Sequence, residues 1–155
     1  MSQSALEIVL QNASGQVGLP PEREFVNWAR TALGRGTSGE VTIRIVEPSE
    51  SRTLNRTYRG KDKPTNVLAF PAGAVAENVA DDELLPFGDL VICAAVVKEE
   101  AAAQQISEQA HWAHLVVHGC LHLMGRDHQT ASEARSMEAM ESQLIVSLGY
   151  ADPYG

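Results

Sequence analysis

All five histidines of this chain fall between positions 111 and 128: His111, His114, His118, His122 and His128. The last three lie in the string HGCLHLMGRDH, with the spacing H-x-x-x-H-x-x-G-x-x-H. A neutral imidazole ligates zinc and similar ions through one ring nitrogen and brings no anionic charge. Two histidines four apart lie on the same face of a helix, one turn above the other. The third must return from elsewhere, and Gly125 provides the turn, since glycine adopts the left-handed conformation that ends a helix. Three neutral ligands leave a fourth coordination position for water, as in a catalytic zinc site rather than a closed structural one. His118, His122 and His128 are therefore the expected ligands of one zinc ion per chain. His111 and His114 share that helical face, within about 80° of the other two at 100° per residue. They read as core residues or as supports for the ligands. A fourth protein ligand, for instance His114, would make the site structural instead.

A second feature is basic. Arg52, Arg56, Arg59, Lys61 and Lys63 are five of the twelve basic residues, opposed locally only by Asp62. The three arginines are spaced as one face of a helix. Such a run is either a solvated face or a local patch for a polyanion. The formal net charge of −8 argues against a general nucleic-acid binder, so any such binding must be local. Cys93 and Cys120 form no CxxC pair and are expected to be reduced, buried thiols of a cytoplasmic protein. GRGTSG at 34–39 fits a dinucleotide-binding glycine pattern, but it follows a helix and precedes a strand, the reverse of what that fold requires. RGKDKPT lacks the upstream glycine and the hydroxyl of a phosphate-binding loop. No Ser/His/Asp nucleophile arrangement stands out.

The elements that must position these residues can be read from periodicity and breakers. Leu6 to Leu10 reads as a strand, and Pro20-Pro21 opens a helix that Gly34 ends. Val41, Ile43 and Ile45 alternate as a half-buried strand. A helix from Pro48-Ser49 through Arg59 stops at Gly60, and Asn66–Phe70 is a strand between prolines. Residues 72–83 read as an exposed acidic loop, and Asp89–Ala94 as a further strand. Helices are expected at Ala95–Gln105, Ser107–Met124 and Ala131–Leu148. No apolar run approaches the roughly 20 residues of a membrane span, and the N-terminus lacks the basic region of a signal peptide. Four strands and about five helices suggest one α/β or α+β domain over residues 1–155, with a small mixed four-stranded sheet and the metal site on a central helix; α+β is the class expected.

The histidine string resembles that of the metzincin zinc proteases, H-E-x-x-H-x-x-G-x-x-H. Gly119 stands where those enzymes place the glutamate that takes a proton from water. Peptide hydrolysis is therefore disfavoured. Together with LNRTYRGKDKPTNVLAFP at 54–71 and FGDLVIC at 87–93, HGCLHLMGRDH more closely resembles the YbeY endoribonucleases, over residues from about 41 to the C-terminal LGYADPYG. That resemblance implies a zincin-like fold, zinc on His118, His122 and His128, and a catalytic arginine at Arg59. It further implies single-strand cleavage near the 3′ end of small-subunit (16S) rRNA, in ribosome maturation and quality control. Flanking phosphates would fall to Arg52, Arg56, Lys61 and Lys63. Small-subunit ribosomal proteins and assembly GTPases are candidate partners, while DNA and membranes are not. Arg126 departs from the family, which usually has an aromatic residue there. Asp127 is a candidate to orient His128 from behind. The rival readings are a non-catalytic ribosome-assembly factor with a structural zinc and, further off, a metzincin-like protease.

Overall fold

The computed structural model describes residues 5–72, 86–126 and 129–155. Among them, four strands and five helices follow in the order β1 (Leu6–Asn12), α1 (Glu22–Leu33), β2 (Gly39–Val46), α2 (Pro48–Arg59), β3 (Val67–Pro71), β4 (Pro86–Cys93), α3 (Ala94–Gln104), α4 (Glu108–Leu123) and α5 (Ala131–Ser147). The sheet order is β1-β2-β4-β3. β1, β2 and β4 are parallel, and β3 closes the edge antiparallel to β4, with Ala69 opposite Leu90 and Phe70 opposite Asp89. This is an α+β fold with a mixed sheet, as the sequence implied.

The period-2 pattern divides the sheet's two faces. Val41, Ile43, Ile45, Leu90 and Ile92 are fully buried in the main core with α1 and α4. Val46, Leu68, Val91 and Cys93 form a smaller core on the opposite face, against Leu54 of α2 and Val96 of α3. Phe25 and Trp28 of α1 join Trp112 of α4 edge to face, with Phe25 centroids 5.2 and 5.3 Å from the two indoles. α4 is buried nearly all round, because the sheet, α1, α3 and α5 all pack against it. A helix so placed reads as apolar on most sides rather than along one stripe.

Several element boundaries differ from expectation by a residue or more, most of all at the start of β4. The strand begins at Pro86, not Asp89, and runs through Gly88. A Cβ at Gly88 would lie 2.6 Å from Leu123 Cδ2, so glycine is there to let α4 approach. The strand ends at Cys93, and Ala94 already opens α3 with no intervening turn. The expected loop at 72–83 lies outside the described residues from position 73 onward.

Candidate active site

α4 delivers two imidazoles to one point. His118 Nε2 and His122 Nε2 lie 3.2 Å apart, each reached from its own turn of the helix. Behind His118, Nδ1 is 2.7 Å from Glu141 Oε2 on α5. An ionised carboxylate can only accept, so Nδ1 carries a proton; in the neutral ring the lone pair then sits on Nε2, facing His122. Two such nitrogens at about 2.0–2.1 Å from a tetrahedral zinc would be about 3.3–3.4 Å apart. The pair therefore has the separation that a shared cation requires. Among the described residues no three His, Cys, Asp or Glu side chains are arranged to hold a metal ion. His128, the expected third ligand, and Asp127 lie outside the described residues.

Glu141 is 1% exposed and is the centre of a clamp. Its Oε1 accepts from His114 Nε2 at 2.6 Å and from the Tyr154 hydroxyl at 2.7 Å. Burial pushes this carboxyl up, but the hydrogen bonds from His114, His118 and Tyr154 outweigh it and hold it down at about 2. Burial and the adjacent Glu141 in turn push the Tyr154 phenol up, so it stays a donor. His114 is thus a support for the carboxylate, as one reading of its position allowed. His111 is buried at 3% exposure and binds Glu100 Oε1 through Nε2 at 2.8 Å. Glu100 also receives Asn66 Nδ2 at 3.0 Å.

Local chemistry explains the helix end. The Gly125 N–H reaches His122 O at 2.9 Å and the Arg126 N–H reaches Leu121 O at 3.0 Å. With Gly125 at φ +91°, this is a Schellman cap, so glycine performs the turn inferred from the sequence. The next helix is fixed equally well. Thr130 and Glu133 form a reciprocal capping box, both bonds 3.1 Å. Gly119 has a structural reason too. A Cβ there would lie 2.7 Å from Leu90 Cδ2 and 3.3 Å from Val67 Cγ2, so α4 presses onto β3 and β4 at this turn and a glutamate cannot replace it without displacing the sheet contact.

That close approach sets the histidines beside β3, at the floor of a cleft of about 840 Å³. Asn66 to Pro71 form one side; His118, Gly119 and His122 form another; Tyr58 and Arg59 enter from the end of α2. Arg59 makes no ion pair with any described residue. Arg126 also lines the cleft, so a second basic residue borders the site. No carboxylate belongs to the described wall, although the chain carries −8 overall.

The other members of the basic run are not in this wall. Arg52 is held by Asp62 through two bonds of 2.8 and 3.0 Å, and Arg56 Nη1 lies 3.8 Å from the same carboxylate. Asp62 therefore offsets part of the patch. Both cysteines are buried and reduced, and burial pushes the Cys120 thiol up to about 12.

Sequence reasoning missed Glu141 and Tyr154. One signal was present. Met137, Glu141 and Ile145 are the buried residues of α5, four apart, so a carboxylate occupies an apolar register. A buried charge at such a position requires partners.

The architecture recurs in the solution structure of TM1509 from Thermotoga maritima, described as VT1, a NESGC target protein. That chain is 22% identical, with 94% of this chain and 98% of that one covered and a TM-score of 0.51; the likeness is one of fold. The family model described as Endoribonuclease YbeY matches residues 11–149, and the chain belongs to that family. At family level this makes it a nuclease of the hydrolase class, with an endoribonuclease role in rRNA processing. Among the described residues no helix is long and apolar enough to cross a membrane.

Proposed function

We propose that this chain is a zinc-dependent, single-strand endoribonuclease acting in 16S rRNA 3′-end maturation, ribosome biogenesis and ribosome quality control in the cytoplasm. The observation that carries this reading is the described cleft wall, where two converging imidazoles share a cleft with an arginine that makes no ion pair among the described residues and with no carboxylate, on a protein of net charge −8. A polyanion meets local attraction there and repulsion elsewhere.

His118, His122 and His128 hold the metal. A bound zinc ion supplies Lewis acidity, drawing electron density from a water or phosphoryl oxygen so that hydrolysis is accessible near neutral pH. The chain's own residues do the rest. Glu141 keeps the His118 proton on Nδ1 and its lone pair on Nε2. Arg59 grips the phosphate with its planar fork and offsets the negative charge that grows on it in the transition state. Arg126 adds attraction at the mouth. Arg52, Arg56, Lys61 and Lys63 hold flanking phosphates, with Arg52 and Arg56 exchanging Asp62 for RNA. Small-subunit ribosomal proteins or assembly GTPases bring the enzyme to its substrate.

The engagement of His114 Nε2 by Glu141 supports an open three-ligand site over a closed structural one. Gly119, packed on Leu90, argues against a protease. The test is metal content of the purified protein, then cleavage of a small-subunit rRNA 3′ fragment with and without chelator. About one zinc per chain and chelator-sensitive cleavage are expected; cleavage indifferent to the metal would overturn the reading.

A further inference from the structure

Tyr58 is a large aromatic left 65% exposed, in the last turn of α2. Its ring meets Phe70 of β3 edge to face, with centroids 5.1 Å apart and planes at 70°. These two rings line both the histidine cleft and a second cleft of about 510 Å³ between α2 and the opposite face of the sheet. They are thus a shared wall between two open grooves, one residue from Arg59.

Phe70 is packed, partly buried, against the smaller core, and polar staples fix the chain that joins the two rings. Ser51 and Asn55, both buried on α2, tie down the chain that leads to β3. Ser51 Oγ donates to Thr65 O at 3.1 Å and accepts from Thr65 N at 2.9 Å, while Asn55 Nδ2 donates to Lys63 O at 2.8 Å. Gly60, at φ +71°, ends the helix immediately after Arg59. Part-buried hydrogen bonds from α2 thus fix the segment that follows an aromatic residue left in solvent. Core packing does not account for Tyr58, whereas a rigid, exposed ring beside a cationic cleft is what an unstacked base requires.

We propose that Tyr58, braced by Phe70, is the stacking platform for one unpaired RNA base next to the phosphate gripped by Arg59. The inference rests on the endoribonuclease reading and deepens it by naming a base subsite. The recognised group is the π-face of a single nucleobase, so the platform favours single strands over duplex and tolerates all four bases. Its placement one residue from Arg59 couples base binding to the position of the scissile phosphate.

The test pairs a variant series with an abasic scan. Tyr58→Leu keeps an apolar contact for Phe70 but removes the π-face; Tyr58→Phe and Tyr58→Trp keep it. Binding of a single-stranded rRNA 3′ fragment to the metal-loaded protein should weaken roughly five- to hundredfold in Tyr58→Leu, the range found when a stacking aromatic is removed. It should change less than about threefold in Tyr58→Phe, where only the phenol is lost. The same RNA is then made with one abasic nucleotide at each position in turn. In the wild type, one position should lose affinity by a similar factor, and in Tyr58→Leu that position should cost nothing more. Unchanged affinity in Tyr58→Leu, equal abasic penalties in both proteins, or an equal loss in Tyr58→Phe would each overturn the platform. Cleavage of the intact RNA by the wild type, abolished by His122→Ala, reads the parent proposal separately. If that control cleaves and the platform outcomes fail, only the platform falls; if the wild type neither binds nor cleaves RNA, both fall.

Discussion

Two histidine networks share helix α4, and they differ in what faces the imidazole on its far side. Near the N-terminal end, His111 is 3% exposed and its Nε2 is committed to Glu100, which also binds Asn66. Two turns on, His118 places Nδ1 on the carboxylate of Glu141 and turns Nε2 to His122 at the cleft floor. Residue type, helix and helical face are the same. One ring has both nitrogens inside the protein; the other is gripped from behind and presents its second nitrogen. A histidine–carboxylate pair is therefore structural or chemical according to whether the remaining nitrogen reaches a shared point at an open surface.

The largest effects should come from the presenting network. His122→Ala or His118→Ala should abolish stoichiometric zinc and RNA cleavage, and His128→Ala should do the same, whereas His111→Ala should keep the metal. Elemental analysis of the four variants separates the two networks. Zinc retained by His128→Ala removes that residue from the ligand set.

Arg59 sharpens the comparison at the opposite wall. Arg59→Lys keeps the charge and loses the planar fork. Single-turnover cleavage at saturating enzyme should fall by roughly ten- to a thousandfold, the scale of losing one oriented charge-stabilising donor. RNA affinity and metal content should change little. Equal rates in the two proteins demote Arg59 to a binding cation.

A smaller effect belongs to the clamp. Glu141→Gln should weaken zinc binding by about 10- to 100-fold, the usual effect of losing the carboxylate behind a ligating histidine. A competitive chelator titration measures it, and a change within twofold would make the clamp irrelevant to the site. Acid sensitivity gives a second readout in metal-free protein. The folded-state value of about 2 is depressed from the ordinary 4.5. The ionised carboxylate's stabilising contribution is thus present above about pH 4.5 and lost as pH falls towards 2. Glu141→Gln should show a flatter loss of stability across that window, followed by thermal melts.

Much of this arrangement is legible in the chain itself. Alternation in Val41-Ile43-Ile45, the stop at Gly60 and the turn at Gly125 each arise from local chemistry, and each element they imply is present. The partners of the histidines are less legible. Glu141 lies 23 residues from His118, and only the packing of α5 on α4 brings them together. The pairing of Arg52 with Asp62, ten residues on, depends on the path of the chain after Gly60. The reason for Gly119 is likewise tertiary. Its absent side chain reads as a missing proton acceptor from the sequence and as a packing requirement against Leu90 in the fold.

The smallest expected effects are at the margins of the two networks. Arg126→Ala should weaken RNA binding a fewfold and reduce its dependence on salt, since one phosphate contact contributes about one unit to that slope. Tyr154→Phe removes one of the three donors to Glu141 and should lower zinc affinity by less than Glu141→Gln does. A larger loss in Tyr154→Phe than in Glu141→Gln would show that the clamp has been assigned the wrong centre.

The most direct test of the central claim is single-turnover cleavage of a small-subunit rRNA 3′ fragment by one protein preparation, measured as isolated, after chelation, and after zinc is restored to about one ion per chain. Activity should disappear with the metal and return with it, and His122→Ala should stay inactive throughout. Cleavage at an undiminished rate in the chelated protein or in His122→Ala would contradict the account.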